Sequence, residues 1–340
     1  MEHPTAPRVV VVTGVSRFLG AHVAAQIAAD SRVARVVGMD RTDPPDELRD
    51  LLRDVELRRA DLTRGSGNSL AKLGAEAVVH LAVASSPGSG GAGRAAMKEQ
   101  NVIGTMHLLA ACQQAPSLRR VVVRSSTAAY GASFRDPAVF TEDTEARDVP
   151  RGGFGRDILD IEGYVRGFRR RRPDVTATVL RFAPFAGPTT ETGLLRYFAQ
   201  PVVPTVLGRD PRLQFVHIDD ALEVLRRSVL EDHPGTFNVA GSGVITLSQA
   251  LRRAGRIALP VAEPMLQAAT RVGGVSLDQV ELFVHGRVVD TTKLRQEFGF
   301  SPRSTAIAFD DFIRSHQTGT VLTPQRVDRF LDMIRSVRSR

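Results

Sequence analysis

Val9-Val10-Val11-Val12-Thr13-Gly14-Val15-Ser16-Arg17-Phe18-Leu19-Gly20 is the stretch that decides the fold. Its first part is a continuous β-branched run, as expected of a strand covered on both faces of a parallel sheet. A glycine-containing turn then leads into a helical segment, Ala21 to Ala29. The helix N-terminus created there offers free amides and a positive dipole end to a pyrophosphate. Gly14 permits the tight turn, and Gly20 lets the helix pack closely on the strand. A second strand, Ala34 to Met39, ends in Asp40, about 20 residues on, where a carboxylate accepts hydrogen bonds from an adenosine ribose.

Working outward, further apolar strands read at Ala77 to Leu81, Arg120 to Val123 and Ala177 to Leu180, with helical patterns between them. Strands alternating with helices predict an α/β fold with a Rossmann-type doubly wound parallel sheet. After Arg181 the pattern shortens into strand-and-turn pieces at Phe182 to Gly187, Gln214 to Ile218 and Thr236 to Gly241. Two helices follow, at Leu247 to Arg256 and Ala306 to Ser315. We therefore expect a dinucleotide-binding domain over residues 1–182 and a smaller α/β substrate lobe over 183–340. Some of the later strands, about 214–241, would rejoin the first sheet. Ser85 to Gly93 reads as a flexible loop at the carboxyl edge of that sheet. A helix from about Asp157 to Arg171 carries Ile158, Ile161, Val165 and Phe168 on one stripe, which must face either the sheet or a second subunit.

The chain has 340 residues, a formal charge of +8 and a single cysteine, Cys112. Its only lysines are Lys72, Lys98 and Lys293, so arginine carries the charge. Apart from Arg169 to Arg172, at a helix end where cations complement the dipole, the arginines are scattered. No nucleic-acid motif accompanies them. The first residues hold no apolar signal region, and no run approaches the roughly 20 apolar residues needed to span a bilayer. The expectation is a cytoplasmic protein that binds neither nucleic acid nor membrane, with Cys112 serving as packing. No metal-ligand set stands out.

The glycine loop has a gap. Read as Thr-Gly-x-x-Gly-x-x-Gly it lacks a glycine at Arg17; read as Thr-Gly-x-x-x-Gly-x-Gly it lacks one at Phe18. A side chain there crowds a pyrophosphate, although a guanidinium also suits a phosphate partner. Asp40 argues for NAD by repelling a 2′-phosphate, whereas Arg17 and Arg41 leave NADP open.

Later motifs follow in a fixed order: Ala60-Asp61-Leu62, His80-Leu81-Ala82-Val83, Asn101-Val102, Ser125-Ser126-Thr127-Ala128-Ala129-Tyr130-Gly131, Leu180-Arg181-Phe182, Gly187-Pro188, Phe215-Val216-His217-Ile218-Asp219-Asp220 and Phe237-Asn238-Val239. Together with the glycine loop they resemble the extended branch of the short-chain dehydrogenase/reductase superfamily. The nearest likeness is to proteins described as NAD-dependent epimerase/dehydratases or as UDP-glucose 4-epimerase-like, over nearly the whole chain. The resemblance implies a cofactor, NAD or alternatively NADP, among Gly14, Ser16, Arg17, Phe18, Leu19, Gly20, Asp40, Arg41, Asp61, Leu62, Leu81, Ala82, Val83, Asn101 and Pro184. Asn101-Val102 would open the long central helix. It further implies a nucleotide sugar or other small ligand, and a homodimer through helices near Asn101 to Cys112 and Asp157 to Arg171.

The catalytic pair of that family is missing. Its pattern Tyr-x-x-x-Lys-x-x-x-Glu, anchored on Glu162, puts Phe154 at the tyrosine and Ile158 at the lysine. The three tyrosines, Tyr130, Tyr164 and Tyr197, are followed four residues later by Phe134, Phe168 and Pro201, so no substitute pair exists. Ser126 alone matches the catalytic trio, as a candidate for contacting substrate or as a strand-end cap. Pro184 replaces a common Asn. Leu213 replaces a phosphate-binding Arg, with the candidate substrate residue Arg212 one position off. Asp157, Asp160 and Glu142 are the remaining bases, read as solvated surface acids; His217 reads as structural, and Asp219 or Asp220 as a helix N-cap. A positioned acid/base typically supplies on the order of 10² to 10⁴ in rate. The expectation is that ordinary hydride or epimerase chemistry is lost or altered. The alternative is a non-catalytic NAD(P)(H)-responsive regulatory or scaffold protein.

Overall fold

The computed structural model describes residues 6–65, 69–85, 93–188, 197–198, 200–269 and 276–316. Seven parallel strands form the central sheet: β1 (Val9–Thr13), β2 (Arg35–Asp40), β3 (Glu56–Arg59), β4 (Ala77–His80), β5 (Arg120–Ser126), β6 (Thr176–Phe182) and, after the short strands below, β11 (Gly235–Val239). Their order across the sheet is β11-β6-β5-β4-β1-β2-β3. The order reverses between β1 and β4, and ligands of open α/β sheets bind in the crevice at such a reversal.

Alternation along β1 explains the two layers beneath and above it. Val10 and Val12 enter one apolar cluster and Val11 the other. The first cluster takes in α1 (Phe18–Ala28) and α7 (Ile218–Leu230). The second takes in α5 (Gly104–Gln113) and α6 (Gly153–Arg171). Shorter helices between them are α2 (Asp46–Arg49), α3 (Ser69–Leu73) and α4 (Gly93–Lys98). The stripe of Ile158, Ile161, Val165 and Phe168 on α6 is buried within the chain among strand residues such as Val121 and Val179. Of its two possible partners, the stripe takes the sheet.

Past β6 the chain builds small sheets: β7 (Phe185–Ala186) pairs β10 (Val216–His217), β8 (Val202–Val206) pairs β13 (Ile257–Val261), and β9 (Arg212–Leu213) pairs β12 (Ile245–Thr246). Around them lie α8 (Leu247–Arg253), α9 (Glu263–Ala269), α10 (Leu277–His285), α11 (Thr292–Phe298) and α12 (Thr305–His316). A third cluster centres here on Tyr197, Phe198, Phe283, Phe309 and Phe312, with the Tyr197 and Phe283 rings stacked at 3.9 Å.

Several local expectations need correction. The cap of α7 is His217, whose Nδ1 accepts the Asp219 amide at 3.2 Å; Asp219 and Asp220 stand inside the first turn, where they complement the dipole. Asn101 does not open the central helix. It lies in a π-helical turn, Glu99–Ile103, that joins α4 to α5. Most of the Ser85 to Gly93 loop lies outside the described residues. Two of the clustered arginines have structural work: Arg169 donates to the carbonyls of Ala177 and Gly235, and Arg172 to those of Cys112, Gln113 and Ala115. Cys112 is fully buried, which pushes its thiol up to about 12. No helix among the described residues is long and apolar enough to cross a membrane.

Candidate functional site

Two glycines of the β1–α1 loop are required by packing. Gly14 has φ +84°, and a Cβ there would lie 2.8 Å from the Ala82 amide nitrogen. A Cβ on Gly20 would run into the Gly14 carbonyl. The third glycine is dispensable for the backbone, because Arg17 sits at φ −117°, ψ 155°, an extended conformation open to any residue. Arg17 is exposed and is the N-cap of α1, yet its side chain caps nothing, and the first turn of α1 has no acidic residue. The first-turn amides thus have no side-chain cap from Arg17, which leaves the kind of helix end that can receive an anion. Phe18 and Leu19 supply two of these amides, and Leu19 also packs into the core.

Asp40 closes the loop from the side. Its Oδ2 accepts the Ser16 amide at 2.9 Å and the Ser16 hydroxyl at 2.7 Å, and its Oδ1 accepts the Arg41 amide at 2.7 Å. The carboxylate therefore orders the glycine loop. Asp61 accepts the Thr63 amide at 3.0 Å and caps the turn Leu62–Arg64. The Leu62 carbonyl stands 3.1 Å from His107 Nδ1.

Beneath the loop runs a buried polar chain. His80 is fully buried, with Nδ1 2.8 Å from the Thr13 hydroxyl and Nε2 2.8 Å from the Thr105 hydroxyl. Thr13 Oγ1 already accepts the Leu81 and Ala82 amides, so its own proton goes to Nδ1 and the imidazole is the Nε2–H tautomer. Thr105 passes the chain on to the Asn101 carbonyl. Burial lowers the His80 pKa to about 4, which keeps the ring neutral. This chain fixes Leu81, Ala82 and Val83, all buried, against the glycine loop. Asn101 is committed too: its side chain accepts the Ala84 amide at 2.8 Å and donates to the Ala84 carbonyl and to Asp157.

One residue of the cleft escaped the sequence reading. Arg124, on β5, donates to the Val83 carbonyl at 2.9 Å and lies 5.3 Å from the Phe185 ring centroid. Burial, with the nearby charge of Arg17 second, brings its pKa down to about 10. Among the described residues it takes part in no ion pair. The available signal was an arginine interrupting a run of buried valines.

Ser126, Phe154 and Ile158 are brought to the same end of the sheet. Ser126 Oγ accepts the Ala128 amide at 3.2 Å, capping the turn Thr127–Tyr130. Phe154 is 8% exposed and Ile158 0%, and both belong to the apolar cluster that contains Val83, Ala84 and Ala129. Asp157 is not a solvated acid: it is 0% exposed, bonded to Arg94 at 2.9 Å and to Asn101 at 3.0 Å. Glu142 accepts the Asn238 amide, whereas Asp160 is exposed. Glu162 takes the Ser125 hydroxyl and the Arg181 guanidinium, and Arg181 in turn donates to the Tyr130 hydroxyl.

Asp278, also unforeseen, reaches over from α10. It accepts the Phe154 amide at 3.3 Å and the Gly155 amide at 2.8 Å, supplying the cap that the N-cap residue Gly152 lacks. Side chains at Gly152 and Gly153 would collide with Asp278 and Arg94 respectively, so both glycines make room for the buried carboxylate contacts. On the ligand side of the cleft, the Pro184 carbonyl accepts the Val216 amide. Leu213 is 0% exposed in the third cluster, while Arg212, on the opposite face of β9, is exposed and donates to the Ala138 carbonyl at 2.8 Å.

Residues 10–240 match the NAD dependent epimerase/dehydratase family. Uncharacterized proteins of Mycobacterium tuberculosis and Mycobacterium bovis are each 44% identical over 335 residues, covering 96% of this chain and 89% of theirs. Among solved structures, UDP-glucose 4-epimerase of Thermotoga maritima, with UDP-glucose, superposes with a TM-score of 0.71 at 18% identity. The match covers 90% of this chain and 98% of that one. UDP-glucuronic acid 4-epimerase of Bacillus cereus, in complex with NAD, gives 0.70 at 16% identity, covering 91% and 98%. At these identities the structures speak for the fold.

Proposed function

Because the chain belongs to the NAD dependent epimerase/dehydratase family, we propose that it binds NAD at the β1–α1 loop and does not use it for tyrosine–lysine hydride chemistry. The dinucleotide is taken up by residues 1–182, whose sheet the later strand β11 rejoins, and the rest of 183–340 forms a second, smaller lobe beside it. The uncapped N-terminus of α1, with Gly14 and Gly20 keeping the backbone close, receives the pyrophosphate, helped by Arg17 and Arg124. Asp40, held by Ser16, faces the adenosine ribose and disfavours a 2′-phosphate, which favours NAD over NADP. Bound NAD would supply a hydride acceptor; the chain's own residues position it and exclude water from its reactive end.

The observation that carries the loss of chemistry is the burial of Phe154 and Ile158 in one apolar cluster. Neither side chain can move a proton, and among the described residues the carboxylates nearest in sequence are engaged by other groups or, as Asp160, exposed. Asp157 is consumed by Arg94 and Asn101 and Glu162 by Ser125 and Arg181, while Ser126 accepts the Ala128 amide of its own turn and offers only a weakly acidic hydroxyl. Leu213 likewise gives a nucleotide-sugar phosphate no cation. The protein is therefore an NAD-responsive binding or regulatory protein, with a homodimer through the outward surfaces of α5 and α6 as the accompanying assembly. The test is to incubate the purified full chain with NAD⁺ and UDP-glucose or UDP-glucuronic acid and follow NADH absorbance and product sugars. The expected result is no turnover; turnover that Ser126→Ala reduces would overturn the reading.

A further inference from the structure

Away from the dinucleotide cleft, the 133–140 loop, the 209–212 turn and the 284–288 segment enclose a pocket of about 210 Å³. Its wall contains Arg209, Arg212, Arg287 and His285, with Asp136 as the one carboxylate. We propose that this pocket binds a small phosphorylated molecule.

Charge is the first argument. Elsewhere Arg181 is balanced by Glu162 and Arg120 by Asp232, whereas Arg124 and Arg169 donate only to backbone carbonyls. Among the described residues, none of the three pocket arginines takes part in an ion pair. Asp136 is engaged by the Ser133 amide at 2.6 Å. Glu281, Asp278 and Asp136 lie near enough to favour the charge on Arg287, without pairing with it, and the first two also accept the amides of Arg151, Phe154 and Gly155. Burial keeps His285 toward its neutral form, so it adds a donor or acceptor rather than another cation.

An orphaned donor is the second and independent argument. Arg287 is 7% exposed and donates from one terminal nitrogen to the Gly131 carbonyl at 2.7 Å. Its Nε is the one buried side-chain nitrogen or oxygen among the described residues that has no partner. Such groups are rare because leaving a buried charged donor unpaired is costly, and a turn of the Arg287 guanidinium toward a bound anion would relieve it.

Shape and chemistry then narrow the class. Three guanidinium forks around one small space suit the several acceptor oxygens of a phosphoryl dianion better than a single carboxylate. Phe134, 63% exposed, lies 4.1 Å beneath the Arg209 guanidinium and 4.4 Å from the His285 ring, an apolar wall for a short carbon skeleton. The volume falls below the roughly 300–1,000 Å³ of pockets for drug-sized ligands, which favours a sugar phosphate over a nucleotide sugar. Arg212 serves this pocket because strand alternation points it away from the core that buries Leu213.

The test is calorimetric titration of the full chain with inorganic phosphate, glucose 6-phosphate and malonate, repeated on Arg212→Ser, Arg209→Ser, Arg287→Gln and Arg17→Ser. The expected result is saturable glucose 6-phosphate binding, weakened at least tenfold by Arg212→Ser or Arg209→Ser and unchanged by Arg17→Ser. Both decisive arginines are exposed, so the outcome stands even if Arg287→Gln fails to fold. The proposal is overturned if folded wild type binds neither phosphate probe, or if malonate binds more tightly than both. It is equally overturned if binding survives Arg212→Ser but is lost in Arg17→Ser, which would place the anion at the glycine loop.

Discussion

Replacing Ile158 by lysine restores half of the missing pair, and the structure says what this costs. Ile158 is 0% exposed and surrounded by the cluster of Val83, Ala84, Phe154 and Ile161. Of the carboxylates nearest in sequence, Asp157 and Glu162 are committed to Arg94 and Arg181, and Asp160 is exposed. A lysine so placed should behave like other buried lysines, whose pKa falls to about 6. Its folded pKa then lies below the unfolded value of about 10.4, so the penalty is present at neutral pH and vanishes as pH rises past the unfolded value. At about 1.36 kcal/mol per unit, folding at pH 7 loses roughly 4–5 kcal/mol, and at pH 10 only about 1 kcal/mol. The assay is urea unfolding of wild type, Ile158→Lys and Ile158→Met at both pH values. The Met variant should lose under about 1.5 kcal/mol at either pH. A lysine variant as stable as the Met variant at pH 7 would refute the reasoning, because a place for an ammonium would then survive inside the cluster.

Other outcomes follow from the same geometry. His80 is buried with a pKa of about 4, so the unfolded chain takes up its proton first on acidification. Stability should fall by about 3 kcal/mol between pH 6.5 and 4, a slope that His80→Asn removes in urea titrations across that range. Asp278→Ala leaves the Phe154 and Gly155 amides without an acceptor and should cost about 1–3 kcal/mol in the same assay, while Asp278→Asn recovers most of it through its remaining oxygen. Arg124→Gln should weaken NADH binding about tenfold in calorimetry and weaken NAD⁺ less, since the cation acts on the net negative charge of the ligand, at about 1.4 kcal/mol per decade.

Most of the parallel sheet was legible because it rests on short-range signals, the valine run of β1, the turn at Gly14 and the carboxylate closing β2, whereas the edge strand β3, mostly exposed and charged, carried no such signal. Asp40 and the glycine loop were read from the same short-range signals. What Asp40 does with Ser16 was not, because residues 24 apart meet only once β1 and β2 are paired. Asp157 read as a surface acid since an i, i+1 neighbour of Ile158 should point elsewhere on a helix. Only the approach of Arg94 and Asn101 from α4 and the π-helical turn makes its burial tolerable. Asp278 and Arg287 come from more than 120 residues beyond the elements they hold, and periodicity carries no trace of such contacts. Arg124 was visible as a charge inside a buried strand, but its neighbours Val83 and Phe185 are fixed by sheet order alone.

The most direct test of the account is calorimetric titration of the purified, cofactor-free full chain with NAD⁺ and NADH, wild type beside Gly20→Val, with melting temperatures recorded at saturation. A Cβ at position 20 collides with the Gly14 carbonyl, so the variant deforms the loop that would receive the pyrophosphate. The account predicts one saturable site in the wild type, stabilisation of about 2.7 kcal/mol at 100 times the dissociation constant, and loss of both in Gly20→Val. A folded wild type that gives neither heat nor a melting shift with either dinucleotide would contradict it.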